Sequence, residues 1–357
     1  MSLFLPYEKM WDMPLGGTSD EKQVPHWAGN LIWGFLAFVF KICFRSRGDH
    51  RERLGGGADK TGVVVVGNHT SFLDVAFMYL AGRPSQWVRF LGRENLFGNA
   101  HGLVGQVLSR VGAFPIKRDA ADRTAIKRAT RMLKSNEIVG IMPEGTRRGK
   151  SDRTPELHSG AAFIAKMGHA PILPMTVRNA EHVKHKGERF RFPKITIEYG
   201  DPVLVEDFDF LPKEDRLDGC SWYAMREGFA LSLNVPREQV DMPALFPGGK
   251  DFTAVFAEHP VPHHTTAEVA AGIEGREAKK AAKAGTVQVG AKGRRRPATP
   301  GRATACSARS TWQSRPAPAA RAHPRWARSS TTRRWWPSWR RAASARSTAP
   351  RTSSAAR

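Results

Sequence analysis

The chain has 357 residues, enough for one sizeable hydrophobic core or two modest ones, so neither disulfides nor a metal is needed to hold it together. Its 3 cysteines, Cys43, Cys220 and Cys306, are odd in number and widely spaced, which argues against a secreted disulfide framework and a cysteine-rich metal site. The formal net charge of +23 suits an anionic partner, but residues 276–357 hold 21 Lys or Arg against the single acid Glu277, so the body itself is nearly neutral.

Residues 1–28 are punctuated by Pro and Gly and carry Glu8, Asp12, Asp20 and Glu21, unlike the positively charged start of an export signal. Leu31–Phe40 then reads LIWGFLAFVF, and Ile42, Cys43 and Phe44 follow Lys41. This apolar run falls short of the roughly 20 residues that cross a bilayer as a helix. It predicts a surface-lying or re-entrant segment, with Trp27 and Trp33 near one end and Arg45, Arg47 and Arg51 at the other as headgroup anchors. A helix buried against the body is the competing reading.

Beyond Gly55–Gly57, the four valines of Val63–Val66 read as a strand covered on both faces, and Asn68 and His69 stand at its end. Asp74–Leu80 reads as the start of a helix with Thr70 or Ser71 as its cap. Further strands are expected at Val88–Leu91, Ala113–Ile116, Ile138–Met142, Ile172–Val177 and Ile195–Tyr199. Helices are expected at Asp119–Lys134, Leu157–Met167 and Trp222–Leu233, with a helix or turn segment at Leu103–Val111 and a polar connection over Asp201–Asp218. The alternation predicts an α/β domain with a mixed sheet flanked by helices, preceded by a membrane-associated apolar segment and followed by a basic low-complexity tail. The expected divisions are a docking region at 1–50, a catalytic domain at 51–247, a linker at 248–290 and a tail at 291–357. From Lys292 onward there is no acid and no Val, Ile, Leu or Phe, a composition that forms no aliphatic core. The change of alphabet near Val289 suits either a basic arm or a stretch translated out of frame.

His69 and Asp74, five residues apart at a strand end, are the first candidates for chemistry. On an ideal helix that spacing is an offset of about 140°, so the pair meets only if a strand-to-helix turn lets Asp74 reach back to the ring. The carboxylate would then fix the tautomer and leave the other nitrogen to take a proton from a hydroxyl. A capping His with a first-turn Asp is the plain structural alternative, and no third and fourth ligand spacing accompanies the pair to make a metal site.

Two further strand ends suit a phosphate. FPIKR closes on Lys117 and Arg118, and PEGTR closes on Arg147, with Gly145 permitting a tight turn. Glu144 does not favour an anion and is assigned to orienting Arg118 or Arg147, or to a substrate hydroxyl. Arg148, Lys150 and Arg153 read as solvated or as a lipid-facing rim.

Asn68-His69-Thr70-Ser71-Phe72-Leu73-Asp74 resembles the NHxxxxD block of the glycerolipid acyltransferases, and Glu144-Gly145-Thr146-Arg147 resembles their EGTR block. Gly112–Arg118 and Ile172–Met175 are similar to the arginine-containing and proline blocks of that family. Lys117 stands where many members carry an acid. The resemblance implies an O-acyltransferase of phospholipid biosynthesis at the cytoplasmic face of the cell membrane. It moves a fatty acyl group from acyl-CoA or acyl carrier protein to the hydroxyl of lysophosphatidic acid, giving phosphatidic acid. It implies His69 as base with Asp74 its partner, and Arg118, Glu144, Gly145, Thr146 and Arg147 as substrate-binding residues. No metal or cofactor beyond the acyl thioester is expected, and no nucleic-acid partner. Glycerol-3-phosphate, a lyso-ornithine lipid or a glycolipid are alternative acceptors. A non-enzymatic binder of acidic membrane or nucleic acid, and a metal-dependent phosphoesterase, are the readings from other classes.

Overall fold

The valine run lies at the middle of a seven-stranded sheet. A computed structural model describes residues 5–16, 22–54, 61–83, 86–117, 122–145, 147–148, 154–184 and 187–276, which belong to a unit spanning Met1–Lys279. The strands are β1 (Arg47–Asp49), β2 (Val63–Gly67), β3 (Val88–Arg93), β4 (Ala113–Ile116), β5 (Ile138–Ile141), β6 (Ile172–Arg178) and β7 (Thr196–Tyr199). Their order is β1-β7-β6-β2-β5-β3-β4. Every neighbouring pair is parallel except β6 and β7. The sheet is therefore mixed, as its sequence predicts. The three-residue edge strand β1 has no hydrophobic pattern and was not expected.

The helices are α1 (Tyr7–Met10), α2 (His26–Phe44), α3 (Asp74–Gly82), α4 (Glu94–Phe97), α5 (Leu103–Arg110), α6 (Arg123–Lys134), α7 (Gly160–Gly168), α8 (Arg216–Leu233), α9 (Met242–Leu245) and α10 (Thr253–Glu258). Because strand side chains alternate, Val64 and Val66 join the core formed with α6, α7 and α8, while Val63 and Val65 join the opposite core with α2 and α3. All five residues of β2 are buried, which is why this strand lacks a polar face.

The apolar helix α2 begins at His26, five residues before the apolar run, because Pro25 supplies a preset φ and no residue up to Phe44 breaks the helix. At 19 residues it is long and apolar enough to cross a membrane, so the shorter segment expected from LIWGFLAFVF is corrected. It nevertheless packs lengthwise on the body. Tyr79 donates to the Gly29 carbonyl at 3.3 Å, Arg83 to Asn30 Oδ1 at 2.5 Å, and the Phe40 and Phe44 rings lie 4.9 and 5.3 Å from Phe77. The opposite face repeats at helical spacing through Trp27, Leu31, Phe35, Phe38 and Ile42, all exposed, with Leu31 68% and Phe35 66% accessible.

Two other expectations change. The region Asp201–Asp218 is not merely a connection, since a 3-10 turn at Val205–Phe208 buries both of its ends and α8 begins at Arg216. The packed body does not stop near Pro247. Phe252, Phe256 and Val261 are buried in the same core as Trp222, and residues 266–276 are helical with Val269 and Ala270 buried. Aromatic stacking draws this segment in, for the Phe256 ring lies 5.4 Å from Trp222 and 5.5 Å from Tyr223. The expected tail at 291–357 lies outside the described residues.

Candidate active site

The order β6-β2-β5 explains why two motifs 75 residues apart meet. β2 and β5 are parallel neighbours, with Val66 opposite Ile141, so the residues following each strand emerge side by side at one edge of the sheet. β6 flanks β2 on the other side, with Met175 opposite Gly67. Thr176 Oγ1 donates to Asn68 Oδ1 at 3.3 Å, which orders the first residue of the His69 turn. Asn68 thus orders the loop that carries His69.

The chain then turns so that Asp74, the first residue of α3, reaches back over it. Asp74 Oδ2 accepts from the main-chain N–H of Thr70 at 2.8 Å and of Ser71 at 2.7 Å, and lies 3.1 Å from His69 Nδ1. The expected capping of α3 by Thr70 or Ser71 is therefore inverted, since the helix's own first side chain captures the amides that precede it. With the carboxylate as acceptor, Nδ1 carries the ring proton and Nε2 is the basic nitrogen. Asp74 is fully buried, whereas the His69 side chain keeps 19% of its surface accessible. Burial pushes the Asp74 carboxyl above its ordinary pKa, opposed by the His69 contact and by the amides of Ser71 and Thr70.

Glu144 does not orient Arg147, nor does it stand free for a substrate. Its Oε1 accepts the main-chain N–H of His69 at 3.1 Å, and its Oε2 lies 2.5 Å from Arg148 Nε as a close ion pair. The main-chain N–H of Arg148 donates to the carbonyl of His69 at 2.8 Å. Arg148 is thus neither solvated nor on a lipid-facing rim. Its guanidinium packs between Phe229 and Phe246, 5.0 and 4.8 Å from their ring centres, and donates to the Leu245 carbonyl at 3.2 Å. Burial raises the Glu144 pKa and lowers that of Arg148, each partly offset by the other's charge. The spacing of four between Glu144 and Arg148 was the one sequence signal for this pair.

Gly145 adopts φ +63°, the left-handed region that its lack of Cβ allows, and its N–H donates to Met142 O at 3.0 Å. A side chain at this position would press on the His158 ring. The amides of His69, Thr70, Ser71, Gly145 and Arg148 are all engaged inside the turn, so none of them is free to donate to a substrate oxygen. The Arg147 guanidinium lies 6.0 Å from the ring centre of Phe72, which places it beside the His69–Asp74 turn. Arg118 and Thr146 lie outside the described residues. Lys117, which precedes Arg118 in the chain, is exposed, with Nζ 3.9 Å from Glu94 Oε1. β4, which leads to Arg118, ends at the same sheet edge two strands from β5, about 10 Å away at the usual strand spacing.

Among the described residues, no group of three or more His, Cys, Asp or Glu converges to hold a metal ion. A separate cleft of about 510 Å³ is lined by Arg53, Arg178, Glu198, Asp201, Glu227 and Arg237 among others, and no residue of the His69 turn borders it. Its charges are largely paired with one another, Arg53 with Asp201 at 3.0 Å and Arg237 with Glu227 at 3.3 Å.

Residues 44–178, which contain His69, Asp74, Glu144 and Arg148, match the family described as Acyltransferase. A 1-acyl-sn-glycerol-3-phosphate acyltransferase of Bacillus subtilis (strain 168) is 32% identical over 190 residues, covering 52% of this chain and 89% of the relative. A protein of the same description from Streptococcus pneumoniae is 30% identical over 145 residues, covering 40% of this chain and 51% of the relative. The crystal structure of the 1-acyl-sn-glycerophosphate acyltransferase PlsC from Thermotoga maritima aligns with a TM-score of 0.42 at 20% identity, covering 57% of this chain and 80% of that one. By its likeness to the Bacillus protein along nearly all of that relative's length, the chain belongs to the acyltransferase family and is an enzyme of acyl transfer.

Proposed function

We propose that the protein transfers a fatty acyl group from acyl-CoA or acyl carrier protein to the free hydroxyl of lysophosphatidic acid, giving phosphatidic acid. The observation that carries this reading is the His69–Asp74 pair, with Nδ1 held by a buried carboxylate and the ring partly open to solvent at a strand end. The acceptor is argued from the names of the two bacterial relatives, both 1-acyl-sn-glycerol-3-phosphate acyltransferases, and from Arg147 beside the turn.

In this mechanism His69 Nε2 removes the proton from the acceptor hydroxyl as that oxygen attacks the thioester carbonyl. The carbon–sulfur bond then breaks, and the departing thiolate takes the proton from the imidazolium. Asp74 balances the positive charge that the ring carries between those steps. Arg147, together with the Arg118 that the family resemblance implies, binds the acceptor phosphate through paired guanidinium donors. Glu144 acts on the backbone of His69 rather than on substrate, so its contribution is to hold the ring where the hydroxyl arrives. The face on which the enzyme works is the cytoplasmic leaflet, where acyl thioesters and lysophospholipid meet. No cofactor beyond the thioester enters these steps.

Glycerol-3-phosphate, a lyso-ornithine lipid and a glycolipid are the competing acceptors. Membership in an enzyme family leaves the reading as a non-enzymatic binder without support. Incubating the purified full chain with labelled acyl donor and each acceptor in turn tests the choice. Preferred labelling of lysophosphatidic acid supports the proposal, and preferred labelling of any of the other three acceptors overturns it.

A further inference from the structure

Residues 187–194, GERFRFPK, carry two exposed aromatic rings between cations. Phe190 is 41% and Phe192 52% accessible, and their rings lie 5.1 Å apart. The segment is tied to the end of α2. The Ile195 N–H donates to the Phe44 carbonyl at 3.1 Å, and the Phe44 ring lies 5.3 Å from Phe192 and 6.2 Å from Phe190. On its other side, Phe190 lies 6.3 Å from Phe72, the half-exposed ring inside the His69–Asp74 turn. Aromatic contacts therefore run without a break from α2, through this loop, into the candidate active site.

A folded protein gains nothing by holding three phenylalanines half in water, so a contiguous exposed aromatic patch calls for an occupant. Two observations choose it. The patch adjoins the last turn of the helix whose outer face is also apolar and exposed. Its rim is basic: Arg189, Arg191 and Lys194 of the loop, Lys184 before it, Lys41 of α2 and Arg45 just after that helix are exposed, and the acid Glu188 is paired to Arg191 at 2.8 Å. Aromatic rings interleaved with cations on an apolar surface match the boundary between acyl chains and acidic headgroups.

We propose that residues 187–194, with Phe72, form a second interfacial anchor for an acidic phospholipid bilayer, which α2 alone does not complete. Phe190 and Phe192 enter the acyl boundary, Arg189 and Lys194 meet lipid phosphates, and the contact with Phe72 sets the His69–Asp74 turn at headgroup depth. This rests on the reading of the protein as an acyltransferase of membrane lipids, and it adds which surface, besides the helix, meets the membrane.

The test measures binding of the full chain to sucrose-loaded vesicles of phosphatidylcholine, with and without phosphatidylglycerol, in the absence of acyl donor and acceptor. Phe190→Ser with Phe192→Ser is expected to lower partition onto both vesicle types at least about tenfold. Arg189→Glu with Lys194→Glu is expected to lower partition at least about tenfold on the acidic vesicles and to leave the neutral ones unchanged. If the serine pair fails to melt like the wild type, Phe190→Ala alone, which leaves the Phe192 contact with Phe44 in place, takes its part and is expected to lower partition onto both vesicle types. Unchanged partition in both paired variants would overturn the anchor. So would a lipid-free wild type that sediments as a dimer and becomes monomeric in the serine pair, since the patch would then be a contact between copies. No substrate is present, so the result stands whether or not the transfer reaction is the one proposed.

Discussion

Arg148 holds His69 through the main chain. Its N–H donates to the His69 carbonyl at 2.8 Å, and its guanidinium pairs with the Glu144 carboxylate that accepts the His69 N–H at 3.1 Å. The residue expected to take the proton is thus gripped at both of its backbone polar groups by the turn that follows β5. The pair Glu144–Arg148 is buried on the carboxylate side and nearly so on the guanidinium side, where the cost of separating the charges is high.

Removing one partner of that pair strands the other. Arg148→Met, which keeps the bulk between Phe229 and Phe246, should lower stability by about 3 kcal/mol, the scale for breaking a buried ion pair. Glu144→Gln with Arg148→Met should recover most of that loss, because neither charge is then left alone. Chemical denaturation of the four proteins gives the coupling directly. Losses that simply add would show that the two side chains do not act on one another.

Arg147 is expected to act on binding. Arg147→Ala should raise the KM for a phosphorylated acceptor with little change in kcat, the pattern of an interaction made equally in ground and transition states. Steady-state rates with lysophosphatidic acid and with an acceptor lacking phosphate separate the roles. An equal loss with both acceptors would contradict phosphate binding.

Asp12 links the N-terminal segment to α6. Its carboxylate accepts from Arg128 Nε at 2.9 Å and Nη2 at 2.8 Å and lies 3.3 Å from Arg131, and the Arg128 hydrogen bonds hold its pKa below the usual carboxylate range. A carboxyl lowered by folding stabilises the native state fully above its unfolded pKa, from about pH 4 upward, and loses that contribution as pH falls through the lowered value. Thermal melts of Asp12→Asn against wild type should therefore show a constant gap above about pH 5 that closes in strong acid. A gap that widens with acid would contradict the sign.

Truncation after Lys279 should leave acyl transfer intact, because the strands, the His69 turn and the Glu144–Arg148 pair all lie within the preceding unit. Loss of transfer with an unchanged melting curve would assign residues 280–357 a part in the reaction.

The sheet was legible because buried strands carry a local signature. Val63–Val66, Ala113–Ile116 and Ile172–Val177 are apolar runs of four to six residues, too short for a core helix and bounded by Gly, Pro or polar residues, and that length rather than a period marks them as strands. The site was legible as residue types at strand ends, His69 and Asp74 foremost. What escaped was pairing across distance. Nothing local distinguishes an Arg148 clamped between Phe229 and Phe246 from one in water, since those rings arrive 81 and 98 residues later along the chain. The reach of the domain past Pro247 was hidden for the same reason, as Phe252 and Phe256 sit in the short run FTAVFA after a Gly-rich turn and are buried by Trp222 and Tyr223 from another element. The edge strand β1 exists through pairing with β7 and has no pattern of its own.

The imidazole of His69 as the base in acyl transfer is tested most directly by one comparison. Purified wild type and His69→Ala, matched for melting temperature, are assayed for phosphatidic acid formed from labelled acyl-CoA and lysophosphatidic acid. The account predicts a rate at least about 100-fold lower in the variant, within the range for a positioned acid–base group. Transfer at close to the wild-type rate by a folded His69→Ala protein would contradict it.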